Sequence, residues 1–146
     1  MYLVFDTETT GLPLNYKAPL TDFNNWPRMV QLAWQIHDVK GDLIEVKNYI
    51  VKPDGFTIPY NSEKIHGIST ELANKKGIPL DEVLTLFTNA LKNASYIIGH
   101  NISFDNNIVG CEMLRYDMSN VLLEKSFIDT KDISTQYCAS IHRINI

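Results

Sequence analysis

Hydrophobic positions recur along this chain with two periods, near two residues in some stretches and near 3.6 in others. The changes of period divide it into strands and helices. Tyr2-Leu3-Val4-Phe5 is apolar on both faces, as in a strand buried at the centre of a sheet. In residues 29–39, Val30, Leu32, Trp34 and Ile36 alternate with Gln31, Gln35 and His37, the pattern of a half-buried strand. His37 falls on the polar face and is read as solvated. Lys40-Gly41-Asp42 supplies a turn and residues 43–51 a return strand, so a β-hairpin is expected.

The period then lengthens. A short helix is expected over 61–65, and a second is capped by Ser69 or Thr70 and stopped at Gly77. In 81–93, Val83, Leu84, Phe87, Ala90, Leu91 and Ala94 form one apolar stripe. A short strand at 96–99 leads to a helix capped by Ser103, with Phe104, Ile108, Cys111 and Leu114 in line. A strand at 127–129 precedes a last helix capped by Asp132, with Ile133, Tyr137, Ile141 and Ile144 in line. Residues 12–28, with Pro13, Pro19 and Pro27, have no sustained period and read as a long loop of the kind that is often functional; Trp26 and Phe23 are expected to pack it onto the body, with stacking on a ligand as the alternative. Strand, hairpin, helices, then strand–helix alternation predict an α/β fold with a mixed sheet covered by helices.

Composition narrows the class. The 146 residues suffice for a single domain, 1–146, with a real core. A net charge of −4 argues against wrapping duplex DNA by bulk electrostatics, though not against gripping a short nucleic acid through metal ions. Cys111 and Cys138 form no C-x-x-C pair and read as free thiols of a reducing compartment. With no signal-peptide pattern and no membrane-length apolar run, a cytoplasmic location and no membrane partner are expected. Neither phosphate-loop nor dinucleotide-binding glycine motifs occur.

The candidate chemistry begins at Asp6 and Glu8. Spaced i, i+2 in a strand, they point to one face, while Leu3 and Phe5 point to the other. Adjacent acids repel and resist desolvation, and a bound magnesium or manganese ion would keep both ionised. A lone D-x-E pair equally fits a strand running into a solvated acidic loop. The second acidic stretch is His100-Asn101-Ile102-Ser103-Phe104-Asp105. Asp105 lies in the first turn of a helix after a strand end, where the helix dipole favours a carboxylate and ligands of α/β sheets gather. It can converge on Asp6 and Glu8 across a shared hollow, or simply support its own helix start.

Phe5-Asp6-Thr7-Glu8-Thr9-Thr10-Gly11-Leu12 resembles the first motif of the DnaQ-like, or DEDD, 3′–5′ exonucleases, a family that includes the proofreading subunit of bacterial DNA polymerase III. His100-Asn101-x-x-Phe104-Asp105 resembles their second motif, Ile65-His66-Gly67-Ile68-Ser69 their His-Gly-Ile segment, and Asp129-Thr130 their later Asp-Thr pair. The resemblance covers nearly the whole chain. It implies an RNase H-like mixed sheet of five strands flanked by helices. It also implies two divalent ions, Mg2+ or Mn2+, about 4 Å apart on the scissile phosphate. By similarity Asp6 bridges both ions, Glu8 holds the water-side ion and Asp105 acts on the other. Thr9, Gly11 and Leu12 contact the terminal nucleotide, and His66, Asn101 and Phe104 line its pocket. A buried, backbone-bonded histidine remains the other reading of His66. The Thr-Thr-Gly ending favours a single-stranded DNA 3′ end over RNA, with a polymerase subunit as a protein partner.

The resemblance stops short of the family's third motif, His-x-Ala-x-x-Asp on a C-terminal helix, or its variant with Tyr in place of His. His142 is followed only by Arg143-Ile144-Asn145-Ile146, and Tyr137 has no Asp four residues later. The expectation is a truncated domain with its C-terminal helix missing. Lacking a general base, which contributes roughly 10²–10⁴-fold, it would be weakly active or inactive. The stripe from Ile133 to Ile144 would be bare, reoriented or shared with a neighbouring molecule. A non-catalytic nucleic-acid-binding or polymerase-associated module on the same fold is the alternative. A D-x-D-x-T phosphatase would need aspartate where Glu8 stands.

Overall fold

A computed structural model describes residues 1–142. Five strands, β1 (Tyr2–Thr9), β2 (Met29–His37), β3 (Leu43–Ile50), β4 (Tyr96–Gly99) and β5 (Ser126–Asp129), form one sheet in the order β3-β2-β1-β4-β5. The hairpin strands pair antiparallel with β1 on one side, and β4 and β5 run parallel to it on the other. The apolar N-terminal run therefore occupies the centre of a mixed sheet, with Leu3 and Phe5 buried on one face and Tyr2 and Val4 half-buried on the other.

Helices α1 (Tyr60–His66), α2 (Thr70–Lys76), α3 (Leu80–Leu91), α4 (Ile102–Arg115) and α5 (Thr130–His142) complete the fold, with a 3-10 turn at Val121–Glu124. Leu3, Phe5, Leu32 and Trp34 join Val83, Leu84 and Phe87 of α3 and Ile108, Val109 and Met113 of α4 in the main core. The Phe87 ring lies 5.0 Å from Phe5 and 5.3 Å from Trp34, in tilted contacts. The opposite sheet face is open: Val4, Ala33, Val46 and Ile98 line a groove of about 480 Å3 that ends at Asp6 and His100. The 12–28 loop is pinned at its base, where Thr10 N–H donates to Arg28 O and Arg28 N–H to Thr10 Oγ1, both at 2.9 Å. Trp26 is buried and donates to Pro19 O, so its role is packing.

Three local expectations change. Helix α4 begins two residues earlier than a Ser103 cap implies, because Asn101, at φ 59° and ψ 41°, turns the chain out of β4 and leaves Ser103 inside the helix. Helix α5 begins at Thr130, with Asp129 Oδ1 accepting Lys131 N–H at 2.9 Å, so Asp132 sits in the first turn rather than at the cap. The buried face of α4 is wider than one stripe. Ile108 and Cys111 are buried while Phe104 and Leu114 are half-buried, and Val109, Glu112 and Met113 are buried too. The 12–28 loop, through Leu20 and Arg28, covers a second side of this helix. Along α5, Ile133 and Tyr137 are exposed, at 49% and 72%. Ile144 and the side chain of Ile141 lie outside the described residues, as do Arg143, Asn145 and Ile146.

Candidate active site

The end of β1 sets the geometry. Strand alternation turns Leu3, Phe5 and Thr7 into the core and leaves Asp6 and Glu8 together on the other face. Between Glu8 and Thr9 the pairing with β2 slips from Gln31 to Met29, a bulge that leaves Val30 as the extra residue. Val30 then packs with Ile58, Ile68 and Ala73 in a separate small core, which anchors α1 and α2 beside the end of β1. Helix α1 is stopped by Gly67 at φ 78°, whose N–H donates to Glu63 O at 2.7 Å, so His66 stands in its last turn.

Asp105 reaches this strand end from 98 residues away. Its Oδ1 accepts the Thr7 N–H at 3.0 Å and the Thr7 hydroxyl at 2.6 Å. Asp105 is 3% exposed. Burial pushes its carboxyl up to about 6; the Thr7 hydroxyl opposes the rise and the Asp6 charge adds to it. Burial also raises Asp6, against the nearby His100 and the Thr7 N–H, although the Asp6 side chain still reaches solvent. Glu8 is raised by burial and by Asp6, with His66 opposing. The Asp6 charge thus acts on both Glu8 and Asp105 around Thr7. The three acids are not arranged across one hollow, because Asp105 approaches from the helix-covered face.

A pocket of about 270 Å3 opens at the strand end. It is lined by Glu8, Thr9, Gly11, Leu12, His66 and Phe104, together with Thr7, Ser62 and Ile65. Five of the six residues expected to meet a terminal nucleotide thus gather beside Glu8. Thr9 Oγ1 donates to Gly11 O at 2.7 Å, and Gly11 sits at φ 151°, where an L side chain is strained. Leu12 is 71% exposed at the rim. Asn101 lies apart, tied to the start of α5: its N–H donates to Asp129 Oδ1 at 2.9 Å and its Oδ1 accepts Lys131 Nζ at 3.1 Å. His100 Nδ1 lies 3.2 Å from Thr130 Oγ1, and that hydroxyl donates to Gly99 O at 3.1 Å.

One buried group went unseen in the sequence. Glu112 is 0% exposed; its Oε1 lies 2.9 Å from Arg28 Nε and 3.1 Å from Arg115 Nη1, and accepts Met29 N–H at 2.9 Å. The Arg115 contact is an ion contact rather than a directed hydrogen bond. Arg115 Nη2 also donates to Trp26 O at 2.9 Å, so this cluster holds the long loop behind the pocket. The signal was an acid on the apolar side of α4, which local pattern alone gives no partner.

Carboxylate oxygens suit a hard divalent cation, and raised carboxyl pKa values are what such a charge would relieve. In donor chemistry the residues fit magnesium or manganese. Among the described residues, however, no three His, Cys, Asp or Glu side chains gather closely enough to hold one ion.

The RNase T family model, described as an exonuclease, matches residues 3–144. The chain belongs to this exonuclease family. It is a DnaQ-like exonuclease domain with an RNase H-like fold. It is 26% identical over 129 residues to the PolC-type DNA polymerase III of Pediococcus pentosaceus, a match covering 88% of this chain and 8% of the polymerase. Escherichia coli exonuclease I in complex with a dT13 oligonucleotide superposes with a TM-score of 0.77 at 21% identity, over 99% of this chain and 31% of that one. A product-bound structure of exonuclease I gives 0.74 at 21% identity, over 91% and 30%. At these identities the likeness establishes the fold, and the chain spans less than a third of each of these proteins. Among the described residues no helix is long and apolar enough to cross a membrane, and Cys111 and Cys138 are free.

Proposed function

We propose that residues 1–146 form one exonuclease domain whose chemistry is removal of nucleotides from the 3′ end of single-stranded nucleic acid, DNA ahead of RNA, in a proofreading role, with weak or no turnover by these residues because they lack the family's third motif. The observation that carries this reading is the pocket uniting Glu8, Thr9, Gly11, Leu12, His66 and Phe104 next to Asp6 and Asp105. At about 270 Å3 its size suits a single terminal nucleoside. Magnesium or manganese, two ions in the family's complete site, would be held by Asp6, Glu8 and Asp105. When bound, they would supply a nucleophile at neutral pH and stabilise the leaving 3′ oxygen.

The chain's own groups do the positioning. Phe104 and Leu12 take the faces of the terminal base, the bonded Thr9–Gly11 turn brings backbone close to the sugar, and Asn101 steadies the helix start beneath it. Thr7 fixes Asp105 from two donors. The exonuclease I structures hold oligonucleotides, and the P. pentosaceus relative is a DNA polymerase, which supports a DNA substrate and a polymerase partner. Two free thiols accord with the cytoplasm.

The test is a nuclease assay on matched 5′-labelled DNA and RNA oligonucleotides with manganese. A ladder shortening from the 3′ end supports the proposal, and cleavage from the 5′ end or internally refutes it. Binding without cleavage would favour the non-catalytic module, the reading that the dispersed donor set supports.

A further inference from the structure

We infer that β3 is the pairing edge for a second copy of this chain, joined antiparallel about a two-fold axis at Val46 into one continuous sheet. Strand β3 lies at the outer edge of the sheet. Its eight residues, Leu43–Ile50, are twice the length of the other edge strand, Ser126–Asp129. Leu43, Ile44 and Val46 are 55%, 57% and 55% exposed. A long edge with apolar side chains offers its N–H and C=O groups to another strand.

Backbone direction fixes which groups are offered. Val51 N–H donates inward to Val30 O at 2.8 Å, and Ile50 O points outward and accepts Ile78 N–H at 3.0 Å. Residues of a strand alternate, so Asn48 and Val46 turn their backbone groups outward like Ile50. The Ile78 contact closes the edge beyond Asn48. At the other end the pairing with β2 slips between Ile36 and His37, which leaves Ile44 as the extra residue. The open stretch is therefore 44–48.

The side chains of that stretch select the occupant. Glu45 and Lys47 share one face, with Nζ 3.7 Å from Oε2 and side chains 38% and 41% exposed. Trp34 Nε1 donates to Glu45 Oε1 on the same face, at 3.3 Å. A two-fold axis at Val46 sets Val46 beside the partner's Val46, with both backbone hydrogen bonds exchanged. It also sets Glu45 opposite the partner's Lys47, and Lys47 opposite the partner's Glu45. Opposite charges directly across a strand pair attract, and like charges repel. A slip of two residues either way brings Glu45 against Glu45 or Lys47 against Lys47. A slip of one sets outward backbone groups against inward ones. In one register the strand is thus complementary to itself, and the partner it fits is a copy of this chain.

Strand β3 runs parallel to β1, since each pairs antiparallel with β2. The partner's β1 therefore runs the opposite way, displaced across the sheet by about 24 Å. The two Asp6–Glu8 sites face opposite ends of the joined sheet, so neither obstructs the other. So short a contact makes a weak dimer, with a Kd of roughly 10–100 µM.

Sedimentation velocity on the full chain, from about 1 to 300 µM, tests the pairing across that range. The wild type should pass from monomer to dimer as concentration rises. Glu45→Lys and Lys47→Glu each place like charges across the junction and should weaken self-association roughly tenfold or more. Mixed in equal amounts, the two should recover the dimer as a heterodimer, because every cross-strand contact then joins opposite charges. Val46→Lys, at an exposed position that leaves the Trp34–Glu45 bond in place, should weaken it by a similar factor; far-UV circular dichroism checks that each variant is folded. A wild type that stays monomeric throughout overturns the inference. A dimer of undiminished strength in the folded Val46→Lys chain does so too, as does a mixture of the two folded charge variants that associates no better than either alone.

Discussion

Replacing Asp105 by asparagine should stabilise this protein at neutral pH while abolishing the cleavage proposed for the site. The folded carboxyl is raised from 3.8 to about 6 by burial and by Asp6, against the Thr7 hydroxyl. A rise of about two units corresponds to about 3 kcal/mol between the protonation states. The sign follows from the direction. A raised carboxyl binds its proton more tightly in the folded state. Its stabilising contribution is complete below the unfolded value of 3.8, fades as pH rises, and is gone above about 6. Asparagine keeps an oxygen where Oδ1 accepts the Thr7 N–H and hydroxyl, and carries no charge to desolvate. Urea unfolding without metal should therefore give nearly equal stabilities for Asp105→Asn and wild type near pH 3.5. At pH 7.5 the variant should lead by up to about 3 kcal/mol. Added manganese should narrow that gap by stabilising the wild type through binding. A variant less stable than wild type at pH 7.5, or a difference that does not change with pH, would refute the reasoning.

Other perturbations read other parts of the site. Glu112→Gln removes the charge facing Arg28 and Arg115 and should cost roughly 3–5 kcal/mol by chemical denaturation; a loss under about 1 kcal/mol would contradict a buried ion cluster. Gly11→Ala puts a side chain at φ 151° and should weaken oligonucleotide affinity with a strain cost of about 1–3 kcal/mol; unchanged anisotropy titrations would count against the pocket's closing turn. Asp6→Ala with Glu8→Ala should abolish manganese binding by calorimetry while leaving the melting temperature of the metal-free protein unchanged or raised, because both carboxyls are disfavoured as charges there. Thr7→Val deletes the 2.6 Å hydroxyl contact and should push the Asp105 carboxyl further up, seen as a higher midpoint in 13C carboxyl titration.

Several features were legible from residue order because they depend on neighbours a few positions away. A continuous apolar run marked β1, a period of two marked β2, the turn at 40–42 placed β3 as its return, and the period of 3.6 marked the apolar face of α3, since side-chain direction follows backbone repeat. The i, i+2 spacing alone put Asp6 and Glu8 on one side of their strand. Helix starts were less legible. Asn101 and Ser103, like Asp129 and Asp132, are all good caps in sequence; the left-handed turn at Asn101 and the Asp129 carboxylate accepting Lys131 N–H start each helix after the first of the pair.

Contacts between distant residues had no local signature. That Asp105 would be held by Thr7, rather than standing opposite Asp6 and Glu8, depends on α4 lying over the covered face of the sheet. That Glu112 would be wholly buried depends on the 12–28 loop folding Arg28 onto it, a pairing across 84 residues. Composition and spacing therefore determined the sheet, its central strand and the kinds of group at its end. Tertiary packing decided which of those groups share a pocket, which lose their solvent, and which hydrogen bonds remain unmade, because burial and pairing are properties of places in space that adjacent residues do not define.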